Sequence, residues 1–184
     1  EQNTKLEISV FAEAPRYKND HEVDLAGFQK SWEELKDTHH FFGLLKKHNI
    51  SRSQALRLAP SAYYADKIEK EKIVSMLEKV ARQELPIMVF VGNPGNIQIH
   101  TGKINKTLWH QQWFNIMDPD FNLHLNMDGV ANCWVVRKPT EDGIVTSIEC
   151  FDKNDELIVQ FFGKRKPGIP EIKEWQEVVA QLQQ

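Results

Sequence analysis

This chain of 184 residues has few cysteines, no long apolar run and no large excess of one charge. Cys133 and Cys150 are too few for a disulfide framework, which favours a reducing, cytoplasmic setting. No apolar run reaches about 18 residues, the length that a membrane span needs, and no signal-peptide core is recognisable. Lys+Arg (23) nearly balance Asp+Glu (26), giving a formal charge of −3. We therefore expect no membrane insertion and no nucleic-acid partner.

The sequence motifs of several large enzyme classes are also missing. The sequence has no Gly-x-Ser-x-Gly, His-Glu-x-x-His, Cys-x-x-Cys or kinase-like pattern. The segment Gly92–Gly95 is typical of a turn and not of a phosphate-binding loop. Hydrophobic residues make up 41% of the chain and include 10 Phe and 5 Trp, enough to build a core. The length is that of one globular domain.

The first half of the chain is predicted to be helical after an N-terminal linker. Residues 1–23 indicate a linker or edge strand, because the alternating Leu6, Ile8 and Val10 are followed by Pro15 and a polar stretch. A single compact domain is expected over 24–184. Spacings of three and four predict two helices or one bent helix through about residue 47, with one apolar stripe formed by Leu25, Phe28, Trp32, Leu35, His39 and Phe42.

The middle of the chain changes from helical to strand character. Ser51 and Gln54 form a capping-box pattern that opens a short helix, and a further helix is expected to end before Pro86. Short turns separate a series of predicted strands, and a last helix follows Pro170. The strands are expected at 87–91, 97–100, 109–117, 122–127, 131–137, 144–151 and 157–163. The predicted class is α+β: N-terminal helices, a large antiparallel meandering sheet and a closing helix.

Histidine provides the most unusual feature of the predicted helices. Histidine is a polar residue type that can carry charge, yet His39 falls on a stripe of apolar residues. Two interpretations remain open from the residues alone: a core histidine bonded to the backbone, or a ligand facing an apolar cofactor. His40 lies about 100° around the helix from His39, so both rings cannot point the same way.

Three cations and one strand histidine complete the candidate residues. Arg52 lies in a first helical turn, where its charge opposes the helix dipole, so an anion held there would remove the conflict. Lys138 and Arg165 follow predicted strands, where charge is commonly solvated but can also bind a ligand carboxylate. His100 falls on the more polar side of its strand, as surface histidines usually do.

Several separate motifs resemble the bacterial cytoplasmic haem-utilisation proteins of the hemin-degrading factor (HemS/ChuS-like) family. The longest begins at Trp32 and runs through His39-His-Phe-Phe-Gly to Arg52. Others follow in the family's order over about residues 24–182: Ile87-Met-Val-Phe-Val-Gly-Asn, Trp113-Phe-Asn-Ile, Leu123-His-Leu, Val136-Arg-Lys-Pro-Thr and Gly163-Lys-Arg165. The resemblance implies one α+β half of a two-half parent that binds haem between its halves.

The resemblance also implies roles for particular residues. The family's proximal haem ligand falls on His39, and its haem-propionate cations fall on Arg52, Lys138 and Arg165. The chain looks like the C-terminal half with its preceding linker, so the N-terminal half, which supplies the family's distal Arg, is an expected partner.

Two positions depart from the family pattern. Phe162 stands where relatives typically carry Tyr, which removes one hydroxyl donor toward the haem edge. His100 stands where relatives often carry Phe, and its imidazole could meet either the haem pocket or solvent.

Three functions follow from these expectations. The first is a cytoplasmic haem-binding protein for haem uptake, trafficking and iron acquisition, with His39 as the proximal iron ligand. The second is a haem-degrading, haem oxygenase-like enzyme when the N-terminal half is present, served by a haem oxygenase or reductase partner. The third is a structural pairing module without a cofactor. A proximal histidine is shared by carriers and oxygenases, so the sequence leaves catalysis open.

Overall fold

The computed structural model describes residues 15–93 and 95–183, so the alternating run at Leu6, Ile8 and Val10 lies outside the described residues. The α+β class expected from the sequence is confirmed. The helices are α1 (Leu25–Glu33), α2 (His40–His48), α3 (Arg52–Arg57), α4 (Glu71–Arg82) and α5 (Lys173–Leu182), with a 3-10 turn at Asp20–Glu22. The strands are β1 (Ala65–Ile68), β2 (Ile87–Gly92), β3 (Ile97–Gly102), β4 (Thr107–His110), β5 (Trp113–Met117), β6 (Asn122–Asn126), β7 (Asn132–Thr140), β8 (Gly143–Phe151) and β9 (Leu157–Gly163).

The strands form two antiparallel sheets, of which the larger has the order β1-β7-β8-β9-β2-β3. Two stretches are meanders, β7–β9 and the separate three-stranded sheet β4–β6, while β9 returns to pair with β2. One strand was expected over 109–117, and this was wrong. The chain turns at Gln111, whose φ of 52° is left-handed, and so separates β4 from β5.

One face of the larger sheet is covered by helices and by the small sheet and forms the main core. Helices α4 and α5 and the small sheet pack against it through buried side chains such as Val89, Ile148 and Phe161. Trp175 of α5 is also buried there, and its Nε1 donates to the carbonyl of Thr146 at 3.0 Å. This bond satisfies the indole N–H inside an apolar core.

The opposite face is covered over one end only. Helices α1–α3 pack over the β1–β7 end with a second core that includes Phe28, Trp32, Phe41, Val136 and Phe151. The rest of this face, which we call the open face, carries half-buried or exposed apolar side chains on β9, β2 and β3. These are Met88, Phe90, Ile97, Ile99 and Phe162. The two isoleucines are 57% and 55% exposed, which is unusual for a sheet surface unless something covers it.

The predicted helical stripe is interrupted, because α1 ends at Glu33 and α2 begins only at His40. Two helices are therefore present, as one of the two expected alternatives. Periodicity predicts a shared face only within one continuous helix. Phe28, Trp32 and Leu35 are buried as expected. Three residues do not follow the stripe: the His39 side chain is 92% exposed, Phe42 is 66% exposed and Leu25 is 43% exposed, so that part of the expectation was wrong.

Candidate functional site

The exposed imidazole of His39 is held by a neighbouring carboxylate. His39 directly precedes α2, and its Nδ1 lies 2.6 Å from Oδ1 of Asp37. The same oxygen accepts the backbone N–H of His39 at 2.7 Å. These two bonds lower the pKa of Asp37. A carboxylate at Nδ1 favours the tautomer with the proton on Nδ1, which leaves the Nε2 lone pair open to an external ligand.

The His39 segment is fastened to the turn between β7 and β8. The backbone N–H of Glu141 donates to the carbonyl of Lys36 at 3.0 Å, three residues before His39. The next residue, Asp142, accepts from Arg165 Nη2 at 3.4 Å and from the backbone N–H of Gly168 at 2.8 Å. One turn therefore links the segment that carries His39 with the segment that carries Arg165.

Arg165 has an unsatisfied donor at this turn. Its side chain is only 16% exposed. Its Nε is buried and has no hydrogen-bond partner within residues 15–93 and 95–183. A buried unpaired donor is costly, so this nitrogen is suited to receiving an anionic oxygen from outside the chain.

Arg52 and Lys138 converge on one buried carboxylate, that of Glu149. Arg52 Nε and Nη2 donate to Oε2 and Oε1 of Glu149 at 2.6 and 2.7 Å. Lys138 Nζ donates to Oε1 at 2.8 Å. Both cations also lie over the ring of Phe41, at 5.3 Å for Arg52 Cζ and 4.7 Å for Lys138 Nζ.

The positions of these two cations refine the sequence expectations. Arg52 is the first residue of α3, as predicted, and the anion that offsets its conflict with the helix dipole is Glu149. Lys138 was expected at a strand end, which was wrong: it lies within β7 and is 3% exposed. The strand runs on through Pro139, which pairs with Ile144 in the β7–β8 hairpin.

Burial and charge act in opposite directions on the pKa values of this cluster. Burial disfavours the charge of Lys138 and lowers its pKa to about 8, although Glu149 opposes the shift. Burial alone would raise the pKa of Glu149, but Arg52 and Lys138 outweigh it and hold that pKa well below its usual range. Burial likewise opposes the charge of Arg52, yet attraction by Glu149 raises its pKa. Glu149 is thus a permanent anion at neutral pH.

Phe162 and His100 lie on opposite faces of the larger sheet. Phe162 pairs with Met88 and contacts Phe90 edge to face, with ring centroids 5.2 Å apart, so it belongs to the open face. His100 pairs with Val89 and therefore points to the covered side. There it stacks on Phe121 with ring centroids 3.8 Å apart. The structure does not bring His100 together with the other candidate residues.

The cavity beside Arg52 does not bring the candidate residues together. A polar cavity of about 660 Å³ lies beside Arg52, between α3 and the β8–β9 turn, and its lining does not include His39, Lys138 or Arg165. Across residues 15–93 and 95–183, no three side chains of His, Cys, Asp or Glu converge into a group that could hold a metal ion. A single histidine is instead the usual protein contribution to a metal held by a macrocycle.

The sequence analysis missed two important residues, although the sequence around each contains a pattern that could have identified it. Asp37 stands two residues before His39, a spacing that allows a carboxylate to reach back to the imidazole. Glu149 lies between Ile148 and Cys150 in a strand whose other polar side chains are the small Thr146 and Ser147. A carboxylate in such a position is buried and must have partners.

Comparison with known proteins agrees with this architecture. Residues 49–182 match the haemin-degrading HemS/ChuX domain family. The chain is 38% identical over 160 residues to the hemin transport protein HmuS of Yersinia pestis, covering 87% of this chain and 46% of that protein. The haem-binding protein PhuS of Pseudomonas aeruginosa, in its apo crystal structure, superposes with a TM-score of 0.91 at 49% identity, covering 94% of this chain and 51% of PhuS. The haem-degrading enzyme ChuS of Escherichia coli O157:H7 superposes with a TM-score of 0.88 at 38% identity, covering 98% of this chain and 51% of ChuS.

The chain therefore belongs to the haemin-degrading HemS/ChuX domain family. It spans about half the length of HmuS, PhuS and ChuS. In the part of the chain that the structure describes, no helix combines the length and the apolar character needed to cross a membrane.

Proposed function

We propose that this chain is a haem-binding module of cytoplasmic haem uptake and utilisation, with Nε2 of His39 as the proximal iron ligand. The observation that carries the proposal is the contact between His39 Nδ1 and Asp37 Oδ1 at 2.6 Å, on an imidazole that is 92% exposed. Metal-binding histidines characteristically donate their second ring nitrogen to a carboxylate, which fixes the ring and raises its basicity. The names of HmuS as a hemin transport protein and of PhuS as a haem-binding protein support the choice of ligand.

The candidate residues of this chain fit a haem group in chemistry. Haem supplies an iron that takes an imidazole nitrogen as axial ligand, an apolar macrocycle and two carboxylates. The unpaired Nε of Arg165 fits a carboxylate, and Arg165 is tied through Asp142 to the turn that also fastens the His39 segment. Phe162 and the other apolar side chains of the open face fit the flat ring system. Arg52 and Lys138 supply further positive charge, although both are already paired with Glu149.

We further propose that residues 24–184 form one half of a tandem parent and that an N-terminal half covers the open face. The exposure of Ile97 and Ile99 supports a covering partner, and the twofold length of HmuS, PhuS and ChuS supports its being part of the same chain. The buried, free thiols of Cys133 and Cys150 are in keeping with a reducing cytoplasm.

Haem degradation is the second candidate, because ChuS is described as a haem-degrading enzyme. Oxygen activation requires hydrogen-bond donors and exclusion of water on the distal side of the iron. In the family that this chain resembles, the N-terminal half supplies the distal Arg, so we expect this half by itself to leave the distal side open to water. With ascorbate or a reductase as electron source and catalase present, we expect slow, nonspecific bleaching. Formation of one defined tetrapyrrole at a steady rate would instead establish an enzyme.

The proposal is tested by titrating the chain with hemin and following the Soret band. His39→Ala is expected to change the Soret maximum and weaken binding, whereas the neighbouring exposed His40→Ala serves as the matched control and should leave both unchanged. Identical spectra and affinities for His39→Ala and the wild type would refute the ligand assignment. Absence of saturable one-to-one binding, together with self-association in sedimentation, would favour the pairing module without a cofactor.

A further inference from the structure

The His39 segment, residues 34–39, is joined to the sheet by one backbone hydrogen bond. This is the bond from the N–H of Glu141, in the β7–β8 turn, to the carbonyl of Lys36 at 3.0 Å. Among the described residues, the other hydrogen bonds of this segment join positions no more than four apart. The polar attachment of the segment that carries His39 therefore depends on a single donor in the turn.

The Arg165 segment, residues 165–170, is attached to the next residue of the same turn. Oδ2 of Asp142 accepts from the N–H of Gly168 at 2.8 Å and lies 3.4 Å from Nη2 of Arg165. No other hydrogen bond joins this segment to a distant part of the chain that the structure describes. Gly168 has a φ of 83°, a conformation that favours glycine, so the sequence itself supports the loop shape that meets Asp142.

The turn is braced by hydrogen bonds of its own. Thr140 Oγ1 accepts from the N–H of Asp142 at 3.2 Å and donates to the carbonyl of Gly143 at 2.7 Å. Strands β7 and β8 remain paired up to Thr140 and Gly143. A short, internally bonded turn at the end of a paired hairpin holds its N–H groups and carboxylate in fixed relative positions.

The Asp142 contact also determines which nitrogen of Arg165 is left free. Asp142 meets Nη2, whereas Nε is buried and has no partner within residues 15–93 and 95–183. The side chains are 16% exposed for Arg165 and 26% exposed for Asp142. Because the pair is partly shielded from water, its attraction is stronger than that of a fully exposed pair. The guanidinium is thus held at one end and presents Nε to an incoming anion.

We propose that the β7–β8 turn is the positioning element of the ligand site: the N–H of Glu141 places His39, and the carboxylate of Asp142 places Arg165. The inference rests on the proposed function, in which His39 ligates the iron and Arg165 binds a ligand carboxylate. Consecutive residues of one braced turn set both groups, so their separation is fixed before the ligand arrives. The site therefore favours ligands that carry a metal and a carboxylate at one matching distance, and less ordering is needed on binding.

The first test compares hemin with its dimethyl ester, which lacks the two negative charges. Asp142→Ala is expected to weaken hemin binding about tenfold with an unchanged Soret maximum, the loss typical of one charge-assisted hydrogen bond. Binding of the ester should not change, because the ester offers Arg165 no carboxylate. In an Arg165→Ala background, Asp142→Ala should cause no further loss, since Asp142 acts through Arg165.

The second test removes the backbone donor at position 141. Glu141→Pro lacks the N–H and Glu141→Ala keeps it, so the difference between these two variants isolates the bond to Lys36. Glu141→Pro should bind hemin about three- to tenfold more weakly than Glu141→Ala, and the difference should vanish in a His39→Ala background. If Glu141→Pro fails to fold, hydrogen exchange of the Glu141 amide replaces it: hemin should slow this exchange in the wild type and not in His39→Ala.

Matched controls separate positioning from general damage to a turn. Asp152, in the β8–β9 turn, accepts from the backbone N–H groups of Asn154 and Glu156 and pairs with no arginine among the described residues. Asp152→Ala should therefore leave hemin affinity unchanged. If Asp142→Ala fails to fold, Asp142→Asn takes its place: it keeps an acceptor for Gly168 but removes the charge that faces Arg165. Its loss of hemin affinity should depend on Arg165 in the same way.

The attachment of the Arg165 segment is also measured without hemin, through hydrogen exchange of the Gly168 amide. We expect this exchange to be slow in the wild type and fast in Asp142→Ala. The inference is overturned if Asp142→Ala binds hemin as well as or better than the wild type, if the ester loses as much affinity as hemin, or if either loss persists without its partner, Arg165 or His39. A wild type that shows no Soret change with hemin refutes the proposed function instead, and the Gly168 exchange then still decides whether Asp142 holds the segment.

Discussion

Gly163 lies directly against the indole of Trp175. A Cβ atom added to Gly163 would lie 2.7 Å from both Cβ and Cγ of Trp175, closer than any real contact. Gly163 ends β9, and the chain then continues to Arg165. The glycine is therefore required by the close approach of α5 to the sheet.

Gly163→Ala should destabilise the fold by about 1–3 kcal/mol, the usual cost of overpacking a tight core. The matched control is Gly43→Ala in α2, where an added Cβ meets nothing within 4 Å. Alanine is the better helix former, so the control should gain about 0.5–1 kcal/mol. Urea unfolding of the two variants measures both effects. A free energy of unfolding of Gly163→Ala equal to that of the wild type would show that Trp175 can move away at no cost.

Asp37→Asn should weaken hemin binding by about 10–100-fold, the usual effect of removing the carboxylate behind a metal-binding histidine. The asparagine can still accept a hydrogen bond, but it no longer supplies the negative charge that raises the basicity of His39. Glu34→Gln is the control, because Glu34 lies in the same interhelical segment and pairs only weakly with Lys30, at 3.8 Å. In a His39→Ala background, Asp37→Asn should have no further effect. A full additional loss there would show that Asp37 acts on folding and not on the imidazole.

Glu149→Leu should cost about 3–5 kcal/mol of stability, because it leaves two cations without their buried counter-charge. Lys138→Met should cost less, since Arg52, Ser147 and Gln160 continue to satisfy Glu149. The control pair is Lys30 with Glu34, whose side chains are 74% and 64% exposed. Lys30→Met should change the free energy of unfolding by less than about 0.5 kcal/mol. Denaturant titration ranks the three variants. A Lys138→Met loss of stability as large as that of Glu149→Leu would contradict the claim that Glu149 is the shared counter-charge of the two cations.

Acid should destabilise the N-terminal helices through His48. Its side chain is buried against Phe28 and its Nε2 has no partner within the described residues. Burial lowers the pKa of His48 below its ordinary value, with Lys47 and Lys18 acting in the same direction and Asp24 opposing them. The unfolded chain therefore takes up a proton first as the pH falls, and stability is lost from the ordinary histidine pKa of about 6.5 downward.

His48→Phe removes this titration while keeping an aromatic ring against Phe28. Unfolding free energies measured at about pH 7.5 and about pH 5 should differ more for the wild type than for the variant. An equal pH dependence in both proteins would mean that other groups account for it.

The sequence predicted most elements of the fold because their signals are local. The capping box formed by Ser51 and Gln54 opens α3 as expected, and the predicted strand 157–163 matches β9. Errors arose where a local pattern was extended across a break. The apolar stripe was carried past Glu33 to His39, although a break of six residues resets the helical phase.

The candidate site was predictable in its residues but not in their pairing. Arg52 stood out because its charge opposes the helix dipole, yet Glu149 lies 97 residues away in the sequence. Lys138 was interpreted as a cation at a strand end because Pro139 follows it. Long-range ion pairs of this kind depend on which strands are neighbours, and strand order is not encoded in the spacing of any single segment.

The pairing of β9 with β2 has a consequence for how the protein folds. Phe90 pairs with Gln160, so the larger sheet cannot be completed until β9 has been synthesised and has returned to the β2–β3 hairpin. Closing such a distant contact is slow compared with forming the helices or the β7–β8 hairpin. During synthesis, β2 and β3 therefore remain a hairpin without its neighbouring strand, with apolar residues on both faces. In this interval the nascent chain is most prone to aggregation and to chaperone binding.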